Sequence, residues 1–413
     1  METPKDKTVV LEGEAAVNLW LDGEDAWNEW VAENPDAKVD FSRIDFSIYG
    51  YVFFAGFHFP TGNGGVTFER ALFGDGGVNF ENAKFGDDGI FFFNASFGKG
   101  DINFSNSTFG SNGADFSHVK FGGGDVSFSG VSFGKGKIDF SHATCGTGHF
   151  AIKECSFGNG KDKPKQKGAV TFEHIDFGGR FSFQNCKETG NIQSLSFNGC
   201  VFKTGVTLAA ELTGIPDLRG TIVTAHLDLD ALTINAASRE AGDAPKYRRL
   251  KQMAERNRHH EAALRFFAGE RCCMRWAQGD KPWQTVWSYL ASVLDVIYAG
   301  ACDYGRSIAW PVGWLGGLIS GSTAVLVNCF KIPLWLDALP MVLTSSIPFL
   351  PAGRVSATEH QPARDVGHLL PYFELWYLGH QFFSFILLFL IGIGLRNRFR
   401  LKPAGHAVVE CLY

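Results

Sequence analysis

The sequence predicts a β-solenoid followed by an α-helical region with two membrane-spanning helices. Three observations carry this prediction: small or β-branched residues recur two positions before Phe from about residue 39, glycine-rich segments interrupt that pattern at regular intervals, and two uncharged apolar stretches follow. The 413 residues include 39 Phe and 49 Gly against 4 Met, a bias typical of repetitive architecture. A net charge of -5 is mild for this length, so we expect no nucleic-acid partner.

Residues 1–36 are predicted to form an N-terminal helical cap. Trp27, Trp30 and Val31 recur at helical spacing, and Asn34-Pro35 ends the pattern. Stacked repeats expose an apolar end, which a terminal unit has to cover. The first residues lack the continuous apolar region and the cleavage site of a secretory signal, so we expect the N-terminal part to stay in the cytoplasm.

The repeats occupy residues 37–236. Steps between successive Phe positions alternate between 5 and 7 residues, which gives a period of 12. Residues i and i-2 share one side of an extended chain, whereas a helix would need returns at 3 and 4. The two extra residues of each longer step lie in glycine-rich segments such as GDGG, GDDG and GKGD. We interpret these segments as corner loops, because glycine permits positive φ.

Stretches such as VDFSRIDFS and VSFSGVSF resemble the pentapeptide-repeat family, although this chain favours Phe over Leu and inserts two residues into alternate units. The resemblance implies a right-handed quadrilateral β-helix, in which side chains i and i-2 point inward and each coil takes two of the 12-residue units. Two opposite internal ladders are then expected, with about 4.8 Å between coils. The first consists of Phe73, Phe97, Phe121 and Cys145, and the second of Phe85, Phe109, Phe133 and Phe157.

Residues 243–304 are predicted to be cytoplasmic and interfacial helices. Residues 243–276 have the apolar periodicity of one long amphipathic helix. The next stretch places Trp283, Trp287 and Tyr289 among aliphatic residues, a composition that favours a helix on the bilayer surface.

Residues 305–403 are predicted to form the membrane domain, with residues 404–413 as a tail. Residues 308–330 and 375–395 contain no Asp, Glu, Lys or Arg, and each is long enough to cross hydrocarbon. Basic residues before the first span and after the second predict that both outer ends lie in the cytoplasm. The stretches YGRSIAWP before the first span and LFLIGIGLRNRFRLK at the second resemble the C-terminal membrane segments of a bacterial subgroup of large pentapeptide-repeat proteins, which implies a multi-pass protein of the inner membrane.

The apolar segment between the spans is too short and too interrupted by Pro to cross the membrane. Two interpretations stay open. The segment either folds over the outer leaflet or forms a re-entrant loop, residues 333–351, of the kind that builds tetrameric channel pores. In a pore, the lining would be Thr344, Ser345, Ser346, Ile347, Pro348 and Phe349.

Gly313, Gly317 and Gly321 form two overlapping GxxxG steps in the first span. Such a stripe lets helix backbones approach closely. It predicts either self-association into a homo-oligomer or packing against the second span of the same chain.

The sequence contains no hydrolase, metalloprotease or phosphate-loop motif, so we expect no enzyme, no catalytic or metal site and no cofactor. His259, His260 and Glu261 are interpreted as a solvated helix face. The function expected is a membrane-anchored protein-interaction scaffold, with membrane lipid and an unknown protein as partners. The alternative is an oligomeric ion channel gated by the solenoid.

Overall fold

The computed structural model describes residues 9–61, 65–158, 168–235, 241–275, 282–330, 338–347 and 370–400. The chain divides into two compact units, Met1–Phe266 and Phe267–Tyr413. The first contains parallel strands in stacked sheets, and the second is helical.

Short strands dominate the first unit, and those from residue 38 to residue 234 are called the strand stack below. In chain order the strands are β1 (Val10–Glu12), β2 (Lys38–Asp40), β3 (Val52–Phe53), β4 (Val66–Thr67), β5 (Val78–Asn79), β6 (Ile90–Phe91), β7 (Ile102–Asn103), β8 (Gly113–Asp115), β9 (Lys120–Phe121), β10 (Val126–Ser129), β11 (Ser132–Phe133), β12 (Lys137–Asp139), β13 (Thr144–Cys145), β14 (Phe150–Lys153), β15 (Ser156–Phe157), β16 (Gly168–Thr171), β17 (Asp176–Phe177), β18 (Phe181–Gln184), β19 (Ile192–Ser196), β20 (Val201–Phe202), β21 (Val206–Leu208), β22 (Ala210–Leu212), β23 (Ile222–Val223), β24 (Leu227–Asp228) and β25 (Leu232–Ile234).

Parallel pairing arranges these strands in stacked sheets. The sheet orders are β1-β2-β4-β6-β8-β12-β16-β19, β3-β5-β7-β10-β14-β18-β21-β24, β9-β13-β17-β20-β23, β11-β15 and β22-β25. In the middle of the stack, paired residues lie 24 positions apart, as in Val78↔Ile102 and Ile90↔Ala114. Isolated parallel bridges such as Lys84↔Thr108 continue the pairing between strands. This arrangement is compatible with a repeat β-helix.

Phe rings fill the interior of the strand stack. Phe80, Phe104 and Phe128 are fully buried, and both successive pairs have ring centroids 4.8 Å apart. A second column, Phe92 and Phe116, stacks at 5.1 Å. These separations match the spacing of neighbouring strands, so each ring packs on the equivalent ring 24 residues later.

The residues of the two predicted ladders lie in the same interior. Phe73 stacks on Phe97 at 4.6 Å, and the Phe97 and Phe121 centroids are 5.8 Å apart. Cys145 pairs in register with Phe121. The other column has centroid separations of 4.9, 5.2 and 5.2 Å. Its members are Phe85, Phe109, Phe133 and Phe157.

The glycine-rich segments contain positive φ, as predicted from the sequence: Gly77 and Gly89, the last residues of GDGG and GDDG, have φ of 90° and 88°.

A second set of left-handed corners uses residues other than glycine. A φ near +58° occurs at Asn82 and Asn94, and equivalent positions carry His118 and His142 with φ of 59° and 60°. Asn tolerates this region because its short polar side chain can bond locally. Many glycines serve a different need: a Cβ on Gly122 would collide with the backbone carbonyl of Gly98 in the preceding repeat. Close backbone approach therefore explains such glycines better than positive φ does.

The N-terminal segment forms two helices, α1 (Gly13–Leu21) and α2 (Glu24–Glu33), which pack on the first repeats. The Trp27 ring is buried and stacks on Phe41 with centroids 5.7 Å apart, while its Nε1 donates to the His58 carbonyl at 2.7 Å. Trp20 Nε1 donates in the same way to the Phe53 carbonyl at 2.8 Å. Two indoles thus cover apolar rings and satisfy backbone acceptors at this end of the stack.

The long helix expected over 243–276 is interrupted. It forms α3 (Ala244–Arg256) and α4 (His260–Met274), with Arg258 at φ 61° between them. The Asn257 side chain accepts a hydrogen bond from the Leu227 N–H at 3.0 Å, and His259 Nδ1 lies 2.6 Å from an Asp230 carboxylate oxygen. Bonding to the last repeats therefore competes with helix continuation here.

Four α-helices and one short 3-10 helix, Asp303–Gly305, lie in the described part of the second unit beyond α4. The α-helices are α5 (Pro282–Cys302), α6 (Ala309–Cys329), α7 (Leu339–Ser346) and α8 (Leu370–Arg400). Two of them, over Ala309–Cys329 and Leu375–Phe399, are long and apolar enough to span a membrane. The short α7 packs on both through a cluster that includes Leu326, Met341, Val342 and Phe373.

Candidate functional site

A buried polar cluster joins three helices of the second unit. His380 on α8 is 3% exposed. Its Nδ1 lies 2.8 Å from Ser322 Oγ on α6, and its Nε2 lies 2.9 Å from Ser346 Oγ on α7. Ser384 Oγ, one turn further along α8, is 3.4 Å from Nε2. One imidazole therefore connects α6, α7 and α8.

The hydrogen-bond donors of this cluster follow from one contact. Ser346 Oγ donates to the Val342 carbonyl at 2.7 Å, so its single proton is not directed at the ring. His380 Nε2 then carries the proton that Ser346 Oγ accepts, and Nδ1 accepts the proton of Ser322. The neutral imidazole satisfies both of its nitrogens in this arrangement. The Trp376 ring stacks over it with centroids 5.7 Å apart.

Among the predicted pore-lining residues, Ser345 and Ser346 are buried within one copy of the chain. Ser345 is fully buried, and its Oγ donates to the Val342 carbonyl at 2.9 Å. Thr344 to Ser346 are helical rather than irregular, and Ile347 is exposed just beyond α7. Pro348 and Phe349 lie outside the described residues. The two serines thus contribute to helix packing in the described part of the chain.

The glycine stripe of α6 lies on a different side from the helix contacts. Gly313, Gly317 and Gly321 are exposed, and no described atom lies within 4 Å of a Cβ built on any of them. Contact with α8 runs instead through residues such as Ser322 and Leu326. Packing of the stripe on the second apolar helix is therefore not the arrangement seen.

Both apolar helices present large side chains outward. Only 17% of an apolar 18-residue stretch of α6, and 22% of the corresponding stretch of α8, is buried. Trp310 and Trp314 on α6 are more than half exposed, as are Phe382 and Phe389 on α8. A core helix of a soluble protein is mostly buried, whereas these two helices are long and apolar enough to span a membrane and expose most of their apolar surface.

A second polar cluster fixes α5. The Asp295 side chain is 3% exposed and accepts hydrogen bonds from Arg271 Nε and Arg275 Nε, each at 3.0 Å, and from Tyr304 Oη at 2.8 Å. Burial raises the pKa of this carboxyl, but the three donors outweigh burial and hold the pKa below its ordinary value. Asp295 is the only charged residue of α5.

The remaining surface of α5 is apolar. Leu290, Leu294 and Ile297 are exposed together with Trp287 and Tyr289. At 100° per residue, Tyr289, Leu290 and Ile297 lie about 120° to 160° from Asp295 around the helix, and Trp287 and Leu294 lie about 80° to 100° from it. The helix is therefore amphipathic. Its single charge, on Asp295, is neutralised by Arg271 of α4 and by Arg275, the residue directly after α4.

His380 and Asp295 were not among the site residues predicted from the sequence. Asp295 is the only charged residue of α5, and His380 is the only Asp, Glu, Lys, Arg or His residue between Leu375 and Leu395, which is the signal available in the sequence. Among the described residues, no group of three or more His, Cys, Asp or Glu is placed to hold a metal ion. Comparison of the chain with family models, with curated proteins and with solved structures finds no match.

Proposed function

We propose that the protein is a membrane-anchored interaction scaffold. In this proposal the strand stack is a right-handed quadrilateral solenoid of the pentapeptide-repeat type, and α6 and α8 cross the membrane. The observation that carries the proposal is the exposure of large apolar side chains along both helices, whose apolar 18-residue stretches are only 17% and 22% buried. Lipid is the cover that fits two outward-facing apolar surfaces of spanning length.

The topology of the proposal follows from charge. Arg306 precedes α6, and Arg396 and Arg398 lie near the end of α8. Placing these residues on the cytoplasmic side puts both the solenoid and the C-terminus in the cytoplasm, at the inner membrane of a bacterium. The amphipathic α5 then lies on the same surface, with Trp287 and Tyr289 at the headgroup level.

The experiment is membrane extraction of the full chain. We expect the wild-type protein to stay with the membrane after washing with alkaline carbonate, which removes peripheral proteins. Replacing Phe382 and Phe389, both exposed on α8, with Asp places two charges on the lipid-facing surface and should release the protein. Tyr51→Asp, an exposed change in the strand stack, is the matched control and should not. Extraction of the wild-type chain by carbonate would contradict the anchor.

The alternative is an oligomeric ion channel whose solenoid gates a pore. The order long helix, short helix, long helix favours it, and the exposed glycine stripe offers a surface for assembly. Burial of Ser345 and Ser346 within one chain favours the scaffold. Purified protein in liposomes separates the two functions: a channel gives ion flux that is lost on replacing Ser345, Ser346 and Phe349, and a scaffold gives none.

A further inference from the structure

A groove runs across the outer face of the first large sheet. Its volume is about 420 Å³, and it crosses four neighbouring strands, β2, β4, β6 and β8. Its lining includes Phe91 and Phe93 from β6 and the residues just after it, with carboxylates on both sides. Those carboxylates are Asp40, Glu69 and Asp115.

Phe91 and Phe93 break the pattern of this face. Phe91 is in register with Thr67 on one side and Asp115 on the other. Phe93 occupies the position that Ser117 holds one repeat later, as the ladder from Asn94 N–H to the Ser117 carbonyl shows. Neighbouring repeats thus use small or polar residues where this repeat has two aromatic rings. Phe92, which lies between these two residues in sequence, is fully buried and fills the interior position, whereas Phe91 is 44% exposed.

The charges around the rings are predominantly negative. The groove lining contains three carboxylates and one cation, Lys38, whose Nζ lies 3.3 Å from Asp40. Glu69 pairs at 3.6 Å with Arg70, which lies outside the lining, so three carboxylates face two cations. Asp115 accepts a hydrogen bond from the Ser117 N–H at 2.8 Å and forms no ion pair within the described residues. One exposed and one half-buried aromatic ring next to a carboxylate suit a guanidinium or ammonium group, which is attracted by ring faces and by negative charge.

We propose that this groove binds an extended, cationic segment of a partner protein. An apolar side chain of the segment packs on Phe91 and Phe93, and a basic side chain on either side pairs with Asp115 or with the carboxylates of Asp40 and Glu69. This inference rests on the proposed scaffold function, and it names the class of partner and the face that holds it. Aromatic anchors surrounded by polar residues are the usual composition of such contacts.

The dimensions of the groove set the spacing of the segment. Asp40 and Asp115 are three strands apart, which corresponds to about 14 Å at the spacing of paired strands. An extended chain advances about 3.3 Å per residue, so side chains four positions apart on one face cover the same distance. The expected segment therefore has two basic residues four positions apart and an apolar residue midway.

The test uses the full-length protein in detergent micelles and fluorescent peptides. The probe is Gly-Arg-Gly-Leu-Gly-Arg-Gly, compared with versions in which Gln replaces Arg or Gly replaces Leu. We expect the probe to bind, and both altered peptides to bind at least about tenfold more weakly, since each lacks one of the two contacts. Binding should weaken as salt rises, because the carboxylates are partly exposed.

The variant for the test is Phe91→Thr with Phe93→Ser. These are the residue types that neighbouring repeats carry at the same positions, so the strand stack should fold normally. We expect it to lose at least about tenfold in affinity for the probe. Phe53→Asn is the matched control: Phe53 is 48% exposed on another sheet, and its register partner is Asn79. The control should bind like the wild type.

Three results would overturn the inference. These are no binding of the probe by wild-type protein, equal binding by the double variant, or an equal loss in Phe53→Asn. Self-association that is lost in the double variant, without peptide binding by the wild type, would assign the groove to a second copy instead. Any of these results with the chain still resistant to carbonate leaves the membrane anchor standing, so the two proposals fail separately.

Discussion

Ser322 on α6 and His380 on α8 are joined by a hydrogen bond of 2.8 Å although 58 positions separate them in sequence. The contact fixes the orientation of a buried imidazole, which in turn holds α7 through Ser346. The packing of α6, α7 and α8 thus depends on polar contacts in addition to apolar ones.

Ser322→Ala should destabilise this packing by about 1 kcal/mol, because Nδ1 of the buried imidazole loses its donor. Thermal unfolding of the purified protein in detergent measures the change. Ser320→Ala is the control, since Ser320 is exposed on the same helix and its Oγ bonds only the Gly316 carbonyl of that helix, at 2.9 Å. Equal effects of the two changes would show that the Ser322 contact contributes nothing.

Replacement by Ala should lower stability at one of two adjacent glycines of the strand stack and leave it nearly unchanged at the other. A Cβ on Gly122 meets the Gly98 carbonyl, whereas the nearest atom to a Cβ on Gly123 is Lys99 Cγ at 4.0 Å. Gly122→Ala should cost at least about 2 kcal/mol through forced separation of two repeats, and Gly123→Ala should be nearly neutral. Urea unfolding followed by circular dichroism distinguishes them. Similar midpoints for both variants would contradict the close approach.

Asp295→Asn should lower stability by about 2 kcal/mol at neutral pH. The cost is below that of a fully buried ion pair because Arg271 is 39% exposed and Arg275 is 22% exposed. The neighbouring Asp303→Asn, in a half-exposed pair with Arg306, should change stability by less than about 0.5 kcal/mol.

The effect of Asp295 should also depend on pH in a defined direction. The pKa of this carboxyl is lowered from 3.8, so its contribution is complete above 3.8 and is lost as the pH falls through the folded value. The stability difference between wild type and Asp295→Asn should therefore shrink as the pH falls from 3.8 through the lower pKa of the folded state. A difference that widens in acid would reject the assignment.

Phe104→Ala should be among the most damaging changes in the strand stack. Phe104 is fully buried and its ring stacks on both Phe80 and Phe128, so truncation leaves a cavity that costs about 3 to 5 kcal/mol. Phe53→Ala, at an exposed site, should cost less than about 0.5 kcal/mol. Chemical unfolding of the two variants makes the comparison, and equal losses would argue against an interior made of stacked rings.

Regular sequence patterns predicted the parallel strands and the two apolar helices. The strands are predictable because the need to bury a Phe ring recurs at a fixed period along the chain, and the helices because hydrocarbon thickness sets the length of an apolar stretch that can cross it. Departures occur where distant residues interact. The α3–α4 break depends on Asn257, whose partner Leu227 lies 30 positions away. Asn94 and His118 have φ of 58° and 59°, so left-handed corners also occur at positions where the sequence has no glycine.

The candidate sites were less accessible from the sequence. His380 and Ser322 are ordinary residues of apolar helices until packing brings them together. Phe91 and Phe93 look like two more members of the Phe pattern, and only the alternation of the strand separates them from the interior Phe92. Whether a residue faces the interior or the solvent depends on the register of its strand, and the composition does not show that register.

The 24-residue register has a consequence for how this protein can change its size. Duplication or loss of 24 residues from the regular region keeps every ring aligned with its equivalent, as Phe80 is with Phe104, and alters the height of the stack by about 4.8 Å. Loss of 12 residues would instead bring the column of Phe73 into line with that of Phe85 and displace the outer faces by half a turn. The height of the strand stack is thus adjustable in whole steps, and each step adds or removes one set of outward side chains.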